Sequence, residues 1–386
     1  MKKKHISLLY MNRRDFFKTT AASVAVLSVP SLLPAKDKSQ AFIQAFCVDF
    51  NWDFDVQWEG RPWARPGQWA EADPAAHVRW HKELGCNAIV TFAVSCNGYA
   101  WYKNSIVPEQ PGLKHDFLTE MVRLGHKEGM KVFGYFCFGA NWLWLQKNPS
   151  ENYGDLAHHY HIPYTNKYLD YLCASINDAF RKTGMDGLRI DWLWNPEKIR
   201  WLPCEQEMYV ELMGEKFPGA DKITEEQLTI FRKKSLNRCW QRMYETTKGI
   251  SKKNIVWHSI NNLNHPDLAG DAVPMLMLQQ PDWLTNEAGD LKSLREVASR
   301  IGKQTRLVTC MAKWNSQDVV QTVNEIKDSK LDVGLYGFTK PTNGTLPLPI
   351  SSYLSKPVSS FTGDDKNIAV FARVYNKLPL DYVSNS

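Results

Sequence analysis

The sequence predicts an α/β protein built as one (β/α)8 barrel, or TIM barrel. Three observations support this class. Eight apolar, strand-like runs alternate with helix-periodic runs from residue 41 onward, as parallel β/α architecture requires. The length of 386 residues suits a single barrel of this kind. No glycine-rich phosphate fingerprint follows the first strand, which disfavours the alternative, an open doubly wound sheet.

The eight strands are predicted from nearly continuous apolar segments, which are typical of a sheet covered on both faces. They span residues 41–50, 87–94, 131–138, 187–194, 254–260, 281–285, 305–311 and 332–338.

Helical periodicity predicts six intervening helices, and capping residues support several of them. Asp73 with Pro74 is typical of a helix start, Thr224 with Gln227 forms a capping-box pattern, and Gly184 suits a helix end. The helices are predicted at residues 74–84, 114–129, 165–183, 224–250, 290–302 and 316–329.

The N-terminal segment has the pattern of a twin-arginine export signal. Arg13 and Arg14 precede a mild apolar run from about Ala21 to Leu33, which is too short for a membrane span. We therefore expect a periplasmic or extracellular protein. Residues 1–35 hold six basic residues and one acidic residue, so the remainder is nearly neutral and gives no sign of nucleic-acid binding.

These patterns divide the chain into three parts. Residues 1–38 are the expected export signal and linker, residues 39–345 form the single catalytic barrel, and residues 346–386 form a C-terminal extension packed on the barrel. The oligomeric state is left open.

The fourth strand, "GLRID" at residues 187–191, carries two opposite charges in an apolar setting. Alternation places Leu188 and Ile190 on one face, and Arg189 and Asp191 on the other. If the apolar face meets the helices, the charged face points into the barrel. Asp191 then lies near the mouth, where it could act as a nucleophile in glycosyl transfer, with Arg189 helping to keep it ionised.

The carboxyl ends of barrel strands form the active-site face, and here they are rich in Trp, Tyr, Asn and His. Aromatic faces and amides of this kind are typical of a sugar site, so we predict a carbohydrate partner. The predicted substrate-binding residues are Asp49, Trp52, Asn97, Tyr99, Trp101, Tyr135, Trp142, Arg189, His258, Asn261, Asn286, Lys313 and Trp314. Trp192, Trp194, Trp257 and Trp283 are instead predicted to be core residues.

Glycoside cleavage requires a second carboxyl group that acts as acid and base. Glu287 follows the sixth strand and is the predicted group, although a residue at a helix start would also fit. Asp49, Asp53, Glu205 and Glu207 are the other candidates.

No cofactor is predicted. His158, His159 and His161 lie close together, but no matching acidic partner is evident, so a metal-dependent hydrolase is a weaker hypothesis and no metal site is assigned. The eight cysteines have no metal-binding or Cys-x-x-Cys spacing and are predicted to be free thiols, most of them buried.

Three stretches in order resemble blocks of the bacterial α-L-fucosidase family. They are "HVRWHKELGCNAIVTFAVSCNGYAWYKNS", "FLTEMVRLGHKEGMKVFGYF" and "YLDYLCASINDAFRKTGMDGLRIDW". The resemblance covers about residues 40–195 and extends to other retaining glycosidase barrels, because "GLRID" is also similar to the amylase-type strand. It implies a retaining exo-glycosidase with Asp191 as nucleophile.

The chain departs from the fucosidase pattern after the second strand. The family usually has His-His-Asp-Gly there, whereas this chain has Ser95, Cys96, Asn97 and Gly98. The sugar is therefore left open, with an α-galactosidase-like or amylase-superfamily-like hydrolase as alternatives. A catalytically inactive barrel that binds carbohydrate is a further alternative.

Overall fold

The computed structural model contains a closed barrel of eight parallel strands in sequential order, which confirms the predicted fold. The structure describes residues 42–53, 63–153, 161–193, 196, 198–260, 279–287, 289–311, 319–381 and 383. The strands are β1 (Gln44–Val48), β2 (Ala88–Val94), β3 (Lys131–Cys137), β4 (Gly187–Asp191), β5 (Ile255–Ile260), β6 (Trp283–Asn286), β7 (Arg306–Cys310) and β8 (Val333–Thr339). Pairing of β1 with β8 closes the ring and rules out the open sheet.

Helices cover the outside of the barrel near the predicted positions. They are α1 (Pro74–Leu84), α2 (Phe117–Lys127), α3 (Trp142–Lys147), α4 (Asn166–Thr183), α5 (Pro203–Met213), α6 (Glu225–Ile250), α7 (Leu291–Arg300), α8 (Val319–Asp328), α9 (Ile350–Leu354) and α10 (Gly363–Tyr375). The predicted caps are confirmed. Asp73 accepts a hydrogen bond from the Ala75 N–H, and Thr224 and Gln227 form a capping box.

The lower part of the barrel interior is an aromatic layer. The rings of Phe133, Trp257 and Trp283 lie 4.8–5.1 Å apart, and Tyr336 lies 5.5 Å from Trp257. Trp257 and Trp283 are buried, as predicted for core residues. This layer forms the floor of any site at the carboxyl ends of the strands.

The segment after β4 contains helix α5 and a second small hydrophobic core. Ile199, Met208, Tyr209 and Phe231 are buried together, and Trp201 packs against them. The segment between β4 and α6 is thus partly helical in the part that the structure describes.

Helix α10 occupies the outside of the barrel at the junction of β8 and β1. Phe371 packs on Phe46 at 5.3 Å, and the Tyr375 hydroxyl donates to the carbonyls of Ala45 and Leu335. Residues after β8 therefore take the position of an eighth barrel helix. Within the described residues, no helix is both long and apolar enough to span a membrane.

Candidate active site

Asp191 is the last residue of β4 and lies at the mouth of the barrel. Its Oδ2 accepts a hydrogen bond from the Tyr135 hydroxyl at 2.8 Å, and its Oδ1 accepts one from the Trp192 main-chain N–H at 3.0 Å. Burial and the neighbouring charge of Glu287 raise the pKa of Asp191, while Arg189 and both hydrogen bonds oppose this shift. The side chain is therefore fixed by two donors in a site that penalises its charge.

Glu287 belongs to the same site through a polar network that spans three strands. The Ser259 hydroxyl donates to Glu287 Oε1 at 2.6 Å, and Arg189 Nη2 lies 3.3 Å from the same oxygen. Arg189 Nη2 also donates to Ser259 Oγ. The network connects β4, β5 and the residue after β6, and it holds Glu287 where its charge raises the pKa of Asp191.

Arg189 is the buried cation beneath these carboxylates. Its side chain is only 4% exposed, and its guanidinium carbon lies 5.2 Å from the Trp257 ring and 5.3 Å from the Tyr336 ring. Burial lowers the pKa of Arg189, but Tyr336, Glu287 and Asp191 raise it, and the net pKa is raised. The permanent positive charge offsets the repulsion between the two carboxylates.

Asp49 adds a third carboxyl group from the end of β1. Its Oδ1 accepts a hydrogen bond from the Asn51 main-chain N–H at 2.7 Å, and the Trp52 side chain also hydrogen-bonds it. Burial raises the pKa of Asp49 to about 7, with a further contribution from the charge of Asp191. Near neutral pH this group can therefore either donate or accept a proton.

Three tryptophans form a wall at the mouth beside Asp191. The Trp192 ring lies 5.9 Å from the Trp52 ring and 6.4 Å from the Trp63 ring. Trp63 is buried, whereas Trp52 and Trp192 are half-buried. An apolar surface thus borders the carboxylates, as a sugar site requires.

Two predicted binding residues after β2 lie in the structural core instead. Trp101 is 1% exposed and packs 4.7 Å from Phe50, because the chain folds back and Ala100 pairs with Val94. The Asn97 Oδ1 accepts hydrogen bonds from Ser95 and Gln110 inside the same loop. Both predictions are corrected, since these side chains support the loop and present no surface to a ligand.

Strand alternation corrects two further predictions. Trp257 and Ser259 point into the barrel, so His258 points outward, where it packs 5.4 Å from Trp240 of α6. Burial, followed by the charge of Arg189, lowers the pKa of His258 to about 3, so this imidazole is neutral. Asn286 is 2% exposed and precedes the inward Glu287, so it too faces the helix layer.

The remaining predicted binding residues are only partly placed. Tyr99 and Trp142 are half-buried, and Trp142 begins α3 with its main-chain N–H bonded to the Cys96 carbonyl. Asn261, Lys313 and Trp314 lie outside the described residues. Contacts thus bring together six of the predicted site residues, namely Asp49, Trp52, Tyr135, Arg189, Asp191 and Glu287.

Glu205, another candidate acid, is buried, and its carboxylate accepts hydrogen bonds from Tyr153 and from the Leu202 N–H at the start of α5. His161 is buried, whereas residues 158–160 lie outside the described ranges. The described residues contain no group of three or more His, Cys, Asp or Glu suited to a metal ion.

Sequence reasoning missed two residues that contact the carboxylates. Ser259 is two residues from inward-facing Trp257, so the period-two alternation of β5 would have indicated it. Trp192 was assigned to the core by extending β4 past Asp191, but the strand ends there and Trp192 takes a positive φ of 57°. No local pattern marks that turn.

Comparisons with known proteins agree with the barrel fold. Residues 73–192, about a third of the chain, match the family model described as hypothetical glycosyl hydrolase 6. The barrel has a glycoside hydrolase-like fold. The matched segment ends one residue after Asp191 and so includes it. No curated protein matches the sequence.

Two solved structures show the same fold at low sequence identity. The α-L-fucosidase isoenzyme 2 from Paenibacillus thiaminolyticus is 13% identical, with a TM-score of 0.59 over 87% of this chain and 49% of that chain. The PgaB (BpsB) glycoside hydrolase domain from Bordetella bronchiseptica is 11% identical, with a TM-score of 0.54 over 89% and 99%. This chain thus spans about half of the fucosidase. The predicted resemblance to α-L-fucosidases is confirmed at the level of the fold.

Proposed function

We propose that the protein is an exported glycoside hydrolase that removes a terminal sugar from a glycan by a retaining mechanism. The observation that carries this proposal is the placement of Asp191 at the mouth of the barrel, fixed by Tyr135 and Trp192, with Glu287 beside it. Two carboxyl groups of this kind are the requirement for glycoside hydrolysis. Export rests on the twin-arginine pattern at Arg13 and Arg14.

In the first step, Asp191 attacks the anomeric carbon while the bond to the leaving oxygen breaks. Glu287 donates its proton to that oxygen. Its Oε1 is held by Ser259 and Arg189, so we assign the transferred proton to Oε2. Burial and the charge of Glu287 both raise the pKa of Asp191, so protonation of Glu287 removes the second of these effects and favours the ionised nucleophile.

In the second step, Glu287 takes a proton from water, and the resulting hydroxide attacks the anomeric carbon. The ester bond to Asp191 breaks, and its electrons return to the carboxylate. Tyr135 and the Trp192 N–H stabilise the carboxylate that is released.

The first substrate class to test is an α-L-fucoside. The sequence blocks and the shared barrel fold support it. An α-galactoside and an α-glucoside follow, because related retaining barrels share the aspartate after the fourth strand. The half-buried Trp52 and Trp192 suit a sugar with an apolar face.

Hydrolysis of aryl glycosides by purified protein tests the proposal. We expect turnover of one substrate class and a loss of roughly 10³-fold or more in kcat/KM for Asp191→Asn. Asp186→Asn is the matched control, because Asp186 precedes the opposite end of β4 and bonds the Val132 N–H and His126. Binding of sugar without hydrolysis by the wild type would favour the inactive carbohydrate-binding barrel.

A further inference from the structure

The residue after the candidate nucleophile has an unusual backbone. Trp192 has φ of 57°, in the left-handed region that bulky side chains rarely adopt. Such conformations persist only where neighbouring contacts hold them, and they concentrate at functional sites. The position of Trp192 therefore requires a physical explanation.

Contacts on both sides of the residue fix this conformation. The Trp192 N–H donates to Asp191 Oδ1 at 3.0 Å, and the Tyr164 hydroxyl donates to the Trp192 carbonyl at 3.3 Å. The N–H lies in the rigid peptide plane that follows Asp191, whereas φ of Trp192 sets the direction of its side chain and of the chain that follows. The left-handed turn therefore ends β4 and orients the Trp192 ring.

The same turn places the ring at the mouth of the barrel. The ring packs 5.9 Å from Trp52, whose side chain hydrogen-bonds Asp49, and 6.4 Å from Trp63. Trp63 is buried, whereas Trp52 and Trp192 are half-buried and lie beside the two carboxylates. The wall is thus hydrogen-bonded to both carboxylates: the Trp52 side chain bonds Asp49, and the Trp192 main-chain N–H bonds Asp191.

We propose that Trp192 has two roles at the active site: its ring, oriented by the left-handed turn, binds the apolar face of the terminal sugar, and its main-chain N–H positions the nucleophile Asp191. This proposal rests on the proposed function. The ring interacts with the sugar in the ground state and in the transition state alike, so its loss raises KM more than it lowers kcat. The N–H stabilises the charged carboxylate, so its loss affects the pH profile.

Two substitutions separate these roles. Trp192→Gly removes the ring but readily keeps a positive φ and the N–H donor. Trp192→Pro removes the same ring and also the N–H donor, and it suits the extended backbone of the preceding Asp191 at the end of β4. Trp69→Gly is the matched control, because Trp69 has a φ of 62°, is half-buried, and packs at 6.4 Å on Phe50 rather than against Asp191.

The experiment measures KM, kcat and the pH dependence of kcat/KM with the aryl glycoside that the wild type hydrolyses fastest. We expect Trp192→Gly to raise KM roughly tenfold, or about 1.4 kcal/mol, with the acid limb of the profile unchanged. We expect Trp192→Pro to raise KM at least as much and to shift the acid limb to higher pH, because loss of the N–H donor raises the pKa of Asp191. Trp69→Gly should leave KM and the acid limb of the pH profile unchanged in the folded protein.

Unchanged KM in a folded, active Trp192→Gly enzyme would overturn the role of the ring. Identical pH profiles for the folded Gly and Pro variants would overturn the role of the main-chain N–H. If the wild type hydrolyses no glycoside, calorimetric binding of L-fucose, methyl α-galactoside and methyl α-glucoside distinguishes the two claims. In that case, binding by the wild type that is lost in Trp192→Gly would support the ring as a sugar contact in a protein without hydrolase activity. Absence of binding by the wild type would overturn both claims.

Discussion

At the scale of single residues, the site combines one buried cation with three carboxyl groups. Arg189 occupies the interior and interacts with Asp191 and Glu287, and the charge of Asp191 in turn acts on Asp49, the residue after β1. The two inward positions on β4 were predictable because alternation within a strand is a local property. The partners of these residues were not, since Ser259 and Glu287 contact Arg189 across 70 and 98 positions of the chain.

Asp49 should make protein stability depend on pH. Its folded-state pKa of about 7 lies above the unfolded value, so the native protein keeps this proton longer than the unfolded chain. Stability from this group is therefore lost as pH rises from about 4 to about 7, by roughly 4 kcal/mol at most. We expect Asp49→Asn to flatten that decline in urea unfolding measured across this range.

Asp178→Asn is a control with the opposite sign. Burial raises the pKa of Asp178, but the combined effect of Lys182, the Ile106 N–H and Tyr102 is larger, so the net pKa is lowered. The wild type gains stability from Asp178 as pH rises through the acidic range, so Asp178→Asn should become less stable relative to the wild type over that range. Parallel pH curves for wild type and Asp49→Asn would contradict the assigned burial of Asp49.

At the scale of elements, β4 determines where the candidate nucleophile lies. The strand starts at Gly187, where an added Cβ would lie 2.5 Å from the Ile255 carbonyl oxygen and 2.7 Å from the Phe133 ring. A side chain there would displace β4 from its neighbours. Sequence patterns located the strand within a few residues, but the close approach of β5 at this glycine depends on register across the sheet.

We expect Gly187→Ala to destabilise the protein by about 1–3 kcal/mol through overpacking. It should also lower kcat, because displacement of β4 moves Asp191. Urea unfolding and aryl glycoside kinetics measure the two effects.

Gly249→Ala is the matched control, because no heavy atom lies within 4 Å of its added Cβ near the end of helix α6. That variant should be stabilised by about 0.5–1 kcal/mol. Equal stability changes in the two variants would show that Gly187 is not packed as described.

At the scale of the whole molecule, the alternation of strands and helices was sufficient to predict a closed barrel. Each element carries its own signal, and eight such pairs have one economical closure. The aromatic residues at strand ends were harder to assign, because composition does not reveal which rings turn inward. Trp101 and Trp192 illustrate this, since one returns to the core and the other leaves the strand through a left-handed turn.

The proposed export depends on the chain before the barrel. A reporter fused to residues 1–38 should reach the periplasm of a bacterial host that has the twin-arginine pathway. Replacement of Arg13 and Arg14 by lysine together should retain it in the cytoplasm. Fractionation measures this, and retention of the unaltered fusion would contradict the proposed signal.

The central claim is that Asp191 forms a covalent bond with the sugar. The most direct measurement uses a 2-deoxy-2-fluoro glycoside with a fluoride leaving group, which slows release of the intermediate, followed by mass spectrometry of the digested protein. We expect one added fluorosugar on the peptide that contains Asp191 and none in Asp191→Asn. Stable labelling of a different carboxylate, or hydrolysis by Asp191→Asn at the wild-type rate, would contradict the claim.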